Sequence, residues 1–193
     1  MNKQERINSF YKELSLIKNL NIKDFAEKAL YILPDYFWEI PASSTGKYHP
    51  NYALGNGGLL RHTKAAVRIA VELFKTDLWA FTEDEKDLII VGLILHDGRK
   101  SGFPKEKYTR FDHPILISQA IASDKNINYL LTEDQLSFLL SNIETHMGKW
   151  TENKYSNFSL NPPKTIAQRF THLADYLASR KALEYNFDVD ITR

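Results

Sequence analysis

"VGLILHDGRKSG", residues 91–102, is the stretch that decides how this chain folds. An apolar run, residues 88–95, carries straight into adjacent His96 and Asp97, followed by Gly98, Arg99, Lys100 and Gly102. The run has the length and character of a buried helix, yet it ends in an imidazole and a carboxylate. Either group costs several kcal/mol when buried without a partner. The rest of the chain must therefore supply whatever offsets that cost.

Elsewhere along the chain helical periodicity recurs and strand-like alternation is scarce. The spacing predicts helices near 3–18, 22–33, 58–76, 83–97, 113–123, 132–147 and 164–186. Thr132 and Gln135 in "TEDQ" form a capping-box pattern at the start of one of them. Two connections contain Pro and Gly, 98–112 and 148–163, and the second is long enough to read as a functional loop. The expectation is an all-α fold, a single helical bundle over 21–193 with a helical extension at 1–20.

With 193 residues, 43% of them hydrophobic and 25% charged, the chain can bury a substantial core. Its formal net charge of +1 argues against a surface devoted to long nucleic acid. It has no cysteine, which removes disulfides and thiolate ligands, so a metal would have to use His, carboxylate and water. The N-terminus lacks the apolar stretch of a signal peptide, and no window reaches the roughly 18 apolar residues of a membrane span. A cytoplasmic protein with no membrane association is expected.

Polar residues stand where helical faces call for apolar ones. At about 100° per residue, positions 62, 66, 69 and 73 lie within about 60° of one another; three are Ala66, Ile69 and Leu73, and the fourth is His62. Ala167, Thr171, Ala174, Ala178 and Ala182 form a small-residue face in the last helix, with Asp175 at its edge. Taken singly, each residue has a plainer role. A histidine on an apolar face can simply hydrogen-bond a carbonyl, an aspartate can cap a helix, and Gly98 can mark a helix C-terminus. Taken together, three helices each deliver an imidazole or carboxylate to a buried position, and one divalent cation would satisfy them all.

The order His62, then His96-Asp97, then Asp175 resembles the H…HD…D signature of the HD superfamily of metal-dependent phosphohydrolases. Beyond the signature, "PASSTGKYHPNYALGNGGLLRHT" (41–63), "LILHDGRK" (93–100), "DHP" (112–114), "ETHMG" (144–148) and "PPKTIAQRFTHLADYLASR" (162–180) resemble the HD domain of YhaM-type 3′→5′ exoribonucleases. The resemblance covers roughly residues 25–185. It implies that His62, His96, Asp97 and Asp175 hold one metal, with Asp97 able to bridge to a second. His113 and His146 match additional histidines of binuclear members, and Lys100 matches the lysine that faces the phosphate.

The sequence departs from the pattern at three places. Arg99 stands where glycine is usual, Arg61 where an acidic residue is common, and Met147 where binuclear members often carry a histidine. YhaM-type enzymes also carry a nucleic-acid-binding domain ahead of the HD domain, so degradation of long RNA is not expected here.

The resemblance implies a metal-dependent phosphohydrolase using metal-activated hydroxide on a nucleotide, cyclic nucleotide or short oligonucleotide, phosphodiesters being favoured. The expected cofactor is one or two divalent ions among Mn, Fe, Mg, Ni and Zn, with Mn favoured. Asp97 and Lys100 are the expected catalytic residues. His49, Arg99, Lys100 and Lys149 are expected to contact substrate, with Trp150, Tyr155 and Phe158 offering rings for a base. Each has an alternative: a solvated basic turn for Arg99 and Lys100, a surface loop for His49, loop anchoring for the rings, and a structural role for His172. Two other functions stay open, a mononuclear 5′-nucleotidase-type phosphomonoesterase and a catalytically silent nucleotide-binding regulator with a structural metal.

Overall fold

Helix α5, Glu83–Leu95, sits at the centre of the molecule, and every residue from Asp87 to Leu95 is buried. A helix that is apolar on all sides needs neighbours on all sides. The computed structural model, which describes residues 1–43 and 45–183, supplies them. Helices α3 (Leu20–Ala29), α4 (Gly58–Phe74), α8 (Glu133–Glu144) and α9 (Ile166–Ala178) all pack against α5. Helix α6 (His113–Ser123) lies on α8, and α4 runs against α9; Ala66 and Ala70 of α4 and Ala174 and Ala178 of α9 are all fully buried. Small residues on both helices let the two backbones approach. No strand occurs among the described residues, and the fold is all-α.

Local chemistry fixes the ends of α5 and its entry. Thr82 and Glu85 form a reciprocal capping box, and Glu83, Asp84 and Glu85 place negative charge in the first turn, where the helix dipole favours it. Thr132 with Gln135 and Thr165 with Gln168 do the same for α8 and α9. Asp87, buried on α5, accepts the backbone N–H groups of Lys18 (2.9 Å) and Asn19 (2.8 Å) and so locks the start of α3 to the central helix.

The structure corrects several boundaries. The helix expected over 3–18 is broken into α1 (Lys3–Ser9) and α2 (Tyr11–Leu14). At the break Phe10 leaves the helical region (φ −112°, ψ 15°) and turns fully into the core, followed by Leu14 and Ile17. Burial of those side chains outweighs local helix continuity. Glu13, also fully buried, is paired with Lys64 of α4 at 2.5 Å, which fastens this segment to the bundle. Short turns of helix at Asp35–Trp38, Asn51–Ala53 and Lys125–Asn128 (α7) carry too little periodicity to be read in advance. Helix α9 ends at Ala178, and Ala182 is an exposed residue beyond it; positions 184–186 of the expected helix lie outside the described residues. No helix among the described residues is long and apolar enough to cross a membrane.

The glycine pair before His62 divides two tasks. Gly57 caps α4 in the left-handed region (φ 70°), and Gly58 gives room: a Cβ there would stand 2.3 Å from the Ala53 carbonyl oxygen and 3.0 Å from Pro41 Cα. Both obstacles are backbone. Gly58→Ala should therefore lower stability by about 1–3 kcal/mol or more and misplace His62 one turn on. Chemical denaturation together with metal analysis checks this; a variant as stable and as metal-competent as the parent would refute it.

Candidate metal centre

Six side chains from separate parts of the sequence converge at one end of α5. His96 follows the last residue of that helix with helical dihedrals (φ −51°, ψ −42°), and its N–H still bonds Gly92 O, so the apolar helix delivers His96 and Asp97 directly. Gly98 does not end the helix through a left-handed conformation. It provides clearance, since a Cβ would lie 2.5 Å from Leu33 Cδ2 and 2.9 Å from the Leu95 carbonyl. His62 comes from the first turns of α4, Asp175 from α9, His113 from the start of α6, and His146 from just past α8.

The distances define two overlapping groups. His62 Nε2 lies 2.9 Å from Asp175 Oδ1 and 3.7 Å from Asp97 Oδ2, while His96 Nε2 lies 3.4 Å and 3.5 Å from the same two oxygens. On the other side of Asp97, Oδ1 is 3.0 Å from His113 Nε2 and 3.8 Å from His146 Nε2. The ligand atoms of His62, His96 and Asp175 lie within 4.8 Å of one another, as do those of His96, Asp97 and His146. Lys100 Nζ holds Asp97 Oδ2 at 2.5 Å. All six residues are buried except Asp175, which keeps modest access to the cavity.

The imidazole tautomers are set by the backbone. Nδ1 of His96 faces Leu93 O at 2.7 Å, Nδ1 of His113 faces Arg110 O at 2.6 Å, and Nδ1 of His146 faces Ile143 O at 2.8 Å. A carbonyl only accepts, so each Nδ1 carries the proton and each Nε2 presents a lone pair inward when the ring is neutral. Nε2 of His113 and of His146 are only 3.2 Å apart, and Nε2 of His96 is buried without a hydrogen-bond partner. Lone pairs and carboxylate oxygens facing each other in a buried site demand positive charge. These buried His and Asp groups could hold a metal ion, and the donor set, imidazole and carboxylate, suits a borderline or hard divalent cation.

Without an ion, protonation of His96 supplies that charge. Burial opposes the charged form of His96, but Asp97 and Asp175 beside it push its imidazole up to about 10. Burial likewise opposes ionisation of both carboxyls, yet Lys100 and His96 hold Asp97, and His96 and His62 hold Asp175, well below the usual carboxylate range. Burial, with His96 and His113 nearby, lowers His146 to about 3, and burial with His62 nearby lowers His49 to about 4.

His62, Asp97, His146 and Asp175 open into a cavity of about 440 Å³ that His49, Lys100 and Trp150 also line. Arg99 does not reach it. Its guanidinium lies over Phe103 (4.9 Å) and lines a separate cleft with Lys28 and Lys125. Lys149 is exposed over the Trp150 ring (5.5 Å), and neither it, Tyr155 nor Phe158 lines the cavity. Arg61 has a structural task, gripping the carbonyls of Tyr52 and Leu54 and fixing the loop before α4. His172 lines the cavity as well, donates from Nδ1 to His146 O at 2.7 Å and packs over Gly148 (φ 66°). Tyr48, Tyr176 and Arg180 also line it, although nothing in their local sequence marks them as site residues one by one. The spacing 172, 176, 180, one stripe beside Asp175, is the signal that points to the last two.

These shifts give the metal-free protein a stability profile with two flanks. An unfolded histidine titrates near 6.5. His96, raised above that, stabilises fully below about pH 6.5, and its contribution fades as pH climbs toward 10. His49 and His146, lowered to about 4 and 3, remove stability as pH falls below about 6.5, because the unfolded chain takes protons that the folded rings refuse. Loading a divalent ion onto His96 should abolish the alkaline decline. Melting temperatures from about pH 5 to 10, with and without Mn²⁺, test this; an identical alkaline slope in both would refute it.

No protein-family model, no curated protein and no solved structure matches this chain.

Proposed function

We propose that this chain is a metal-dependent phosphohydrolase acting on a phosphoester of a nucleotide or short oligonucleotide, with phosphodiesters favoured over monoesters. The reading is carried by one observation: His62, His96, Asp175 and Asp97 on one side, and Asp97, His113 and His146 on the other, share a single carboxylate at the floor of one cavity. His62, His96, Asp97 and Asp175 would hold the tighter ion, and Asp97, His113 and His146 the weaker one. Mn²⁺ suits this mixed imidazole and carboxylate set. A divalent ion in such a site supplies Lewis acidity, bringing the pKa of water towards about 7 and neutralising phosphoryl charge.

The chain's own residues account for the rest. Lys100 holds Asp97 in place through Oδ2 and keeps its remaining N–H donors directed at the cavity, where a phosphoryl oxygen would accept them. His49, neutral at physiological pH with its pKa near 4, offers a hydrogen bond and no standing charge. Its ring stacks edge-on against His62 with centroids 5.4 Å apart, so it also limits the ring positions available to that ligand. Met147 lines the cavity beside His146 and brings a thioether, a poor partner for a hard cation, which is why the second ion is the weaker. A cavity of 440 Å³ suits a mononucleotide-sized portion of a substrate and excludes a duplex.

Asp97→Asn should remove the metal and lower kcat by at least about 10²–10³-fold, with the helical circular dichroism retained. His113→Ala and His146→Ala should each abolish the weaker site in a Mn²⁺ titration, spare the tighter one and depress phosphodiester cleavage. One bound ion at saturating Mn²⁺, with both histidine variants fully active, would decide for a mononuclear phosphomonoesterase. Metal binding without turnover of any phosphomonoester, cyclic nucleotide or short RNA would decide for a regulator.

A further inference from the structure

The cavity has a second cation, and it is built differently from Lys100. Arg180 follows the end of α9, and its guanidinium lies over the ring of Tyr176 (4.3 Å) and near that of Tyr48 (5.6 Å). Trp150 stacks on Tyr176 with centroids 5.8 Å apart and planes within 17°, extending the row of rings. Nε and Nη2 of Arg180 both donate to Ser179 Oγ, at 3.1 and 2.7 Å, and that hydroxyl donates to the Tyr176 carbonyl at 2.7 Å. Backbone ties hold the Tyr48 wall in register: Lys181 N–H donates to Tyr48 O at 2.7 Å, and Tyr52 Oη donates to Ala178 O at 2.9 Å.

Among the described residues Arg180 has no carboxylate within ion-pairing distance, although Asp97 and Asp175 line the same cavity. A half-buried arginine that is oriented by rings and a hydroxyl, with its outer N–H groups unspent, is arranged to receive a planar or tetrahedral anion in fork geometry. A phosphate at the metal centre already has a cation of its own in Lys100, which is held there by Asp97. Resting on the phosphohydrolase reading, we propose that Arg180 recognises a second phosphate of the substrate, one that is not cleaved, while Trp150 takes the adjoining base. The preferred substrate class is then a nucleotide carrying two phosphates on separate positions, such as a nucleoside 3′,5′-bisphosphate or a 5′-phosphorylated dinucleotide. The scissile group lies at the His62–His96–Asp97–Asp175 floor, and the retained phosphate lies under Arg180. Arg180 is a specificity residue in this scheme and touches no reacting atom.

The test compares adenosine 3′,5′-bisphosphate with adenosine 5′-monophosphate, and a 5′-phosphorylated dinucleotide with its unphosphorylated form. Affinity is read by calorimetry on the metal-free protein, and kcat/KM with Mn²⁺ present. The parent protein should favour the doubly phosphorylated partner of each pair. Arg180→Ala should cut that preference by about 10–100-fold, through KM rather than kcat. Arg180→Lys, which keeps charge without the fork, should fall between, and Tyr48→Leu should lower the preference more mildly by freeing the guanidinium. If Arg180→Ala fails to fold by circular dichroism, Arg180→Gln carries the same comparison. An unchanged preference in the variants, or equal treatment of both partners by the parent protein, overturns the proposal. A preference in binding that depends on Arg180, with no turnover of any phosphoester, upholds it and overturns the hydrolase reading instead. A preference seen only for the bisphosphate identifies the mononucleotide as the source of the second phosphate; one seen only for the dinucleotide identifies the oligonucleotide.

Discussion

The carboxylate of Asp97 is 2% exposed, yet four imidazole nitrogens and one ammonium lie within 4 Å of its oxygens. A buried carboxylate is costly until it is surrounded by charge or hydrogen bonds of the right sign. Here the surroundings arrive from α4, α6, α8 and the turn after α5, so four parts of the chain are committed to one side chain. The packing that closes the bundle thereby also brings the polar site together. Helix α5 can be apolar from Leu88 to Leu95 because the polar pair that follows it, His96 and Asp97, lies where the other helices converge.

That shared geometry explains the close approaches. Gly58 brings α4 against the loop that carries His49, Gly98 sets the turn after Asp97 against Leu33 and Ile117, and Gly148 seats the ring of His172. A methyl at any of the three would strike neighbouring atoms, and at Gly148 the displaced atoms are those of the His172 ring, which is bonded to His146 O. Arg61 serves the same end from the other direction by clasping two carbonyls of the 51–54 turn.

The fold class is legible in the sequence because it depends on periodicity, which a single chain displays. His62, His96, Asp97 and Asp175 are legible because each interrupts an apolar face, and burial of a polar group without a partner is improbable. The break at Phe10 is not, since it is decided by contacts with Phe37 and α4, residues distant in sequence. Ala182 continues the small-residue period and still falls outside α9, because the chain there is drawn to Tyr48. Arg99 and Lys149 are expected at the substrate on charge alone, and charge says nothing about which side of a turn a residue faces. Tyr48 and Arg180 lie 132 positions apart and meet through tertiary structure only.

The anchoring of the imidazoles on carbonyls three residues back has a kinetic meaning. Leu93 O and Ile143 O belong to the last turns of α5 and α8, where carbonyls lose the regular helical ladder. The His96 ring bonds the first and the His146 ring joins the Thr145 and His146 N–H groups on the second, so the closing of each helix also aims a ring nitrogen. The donor atoms are then already oriented by the folded chain, and an ion taken up there would meet them in place. Exchange of such an ion would then be governed by shedding of its water and escape through the cavity mouth, with no helix having to reform between one occupant and the next.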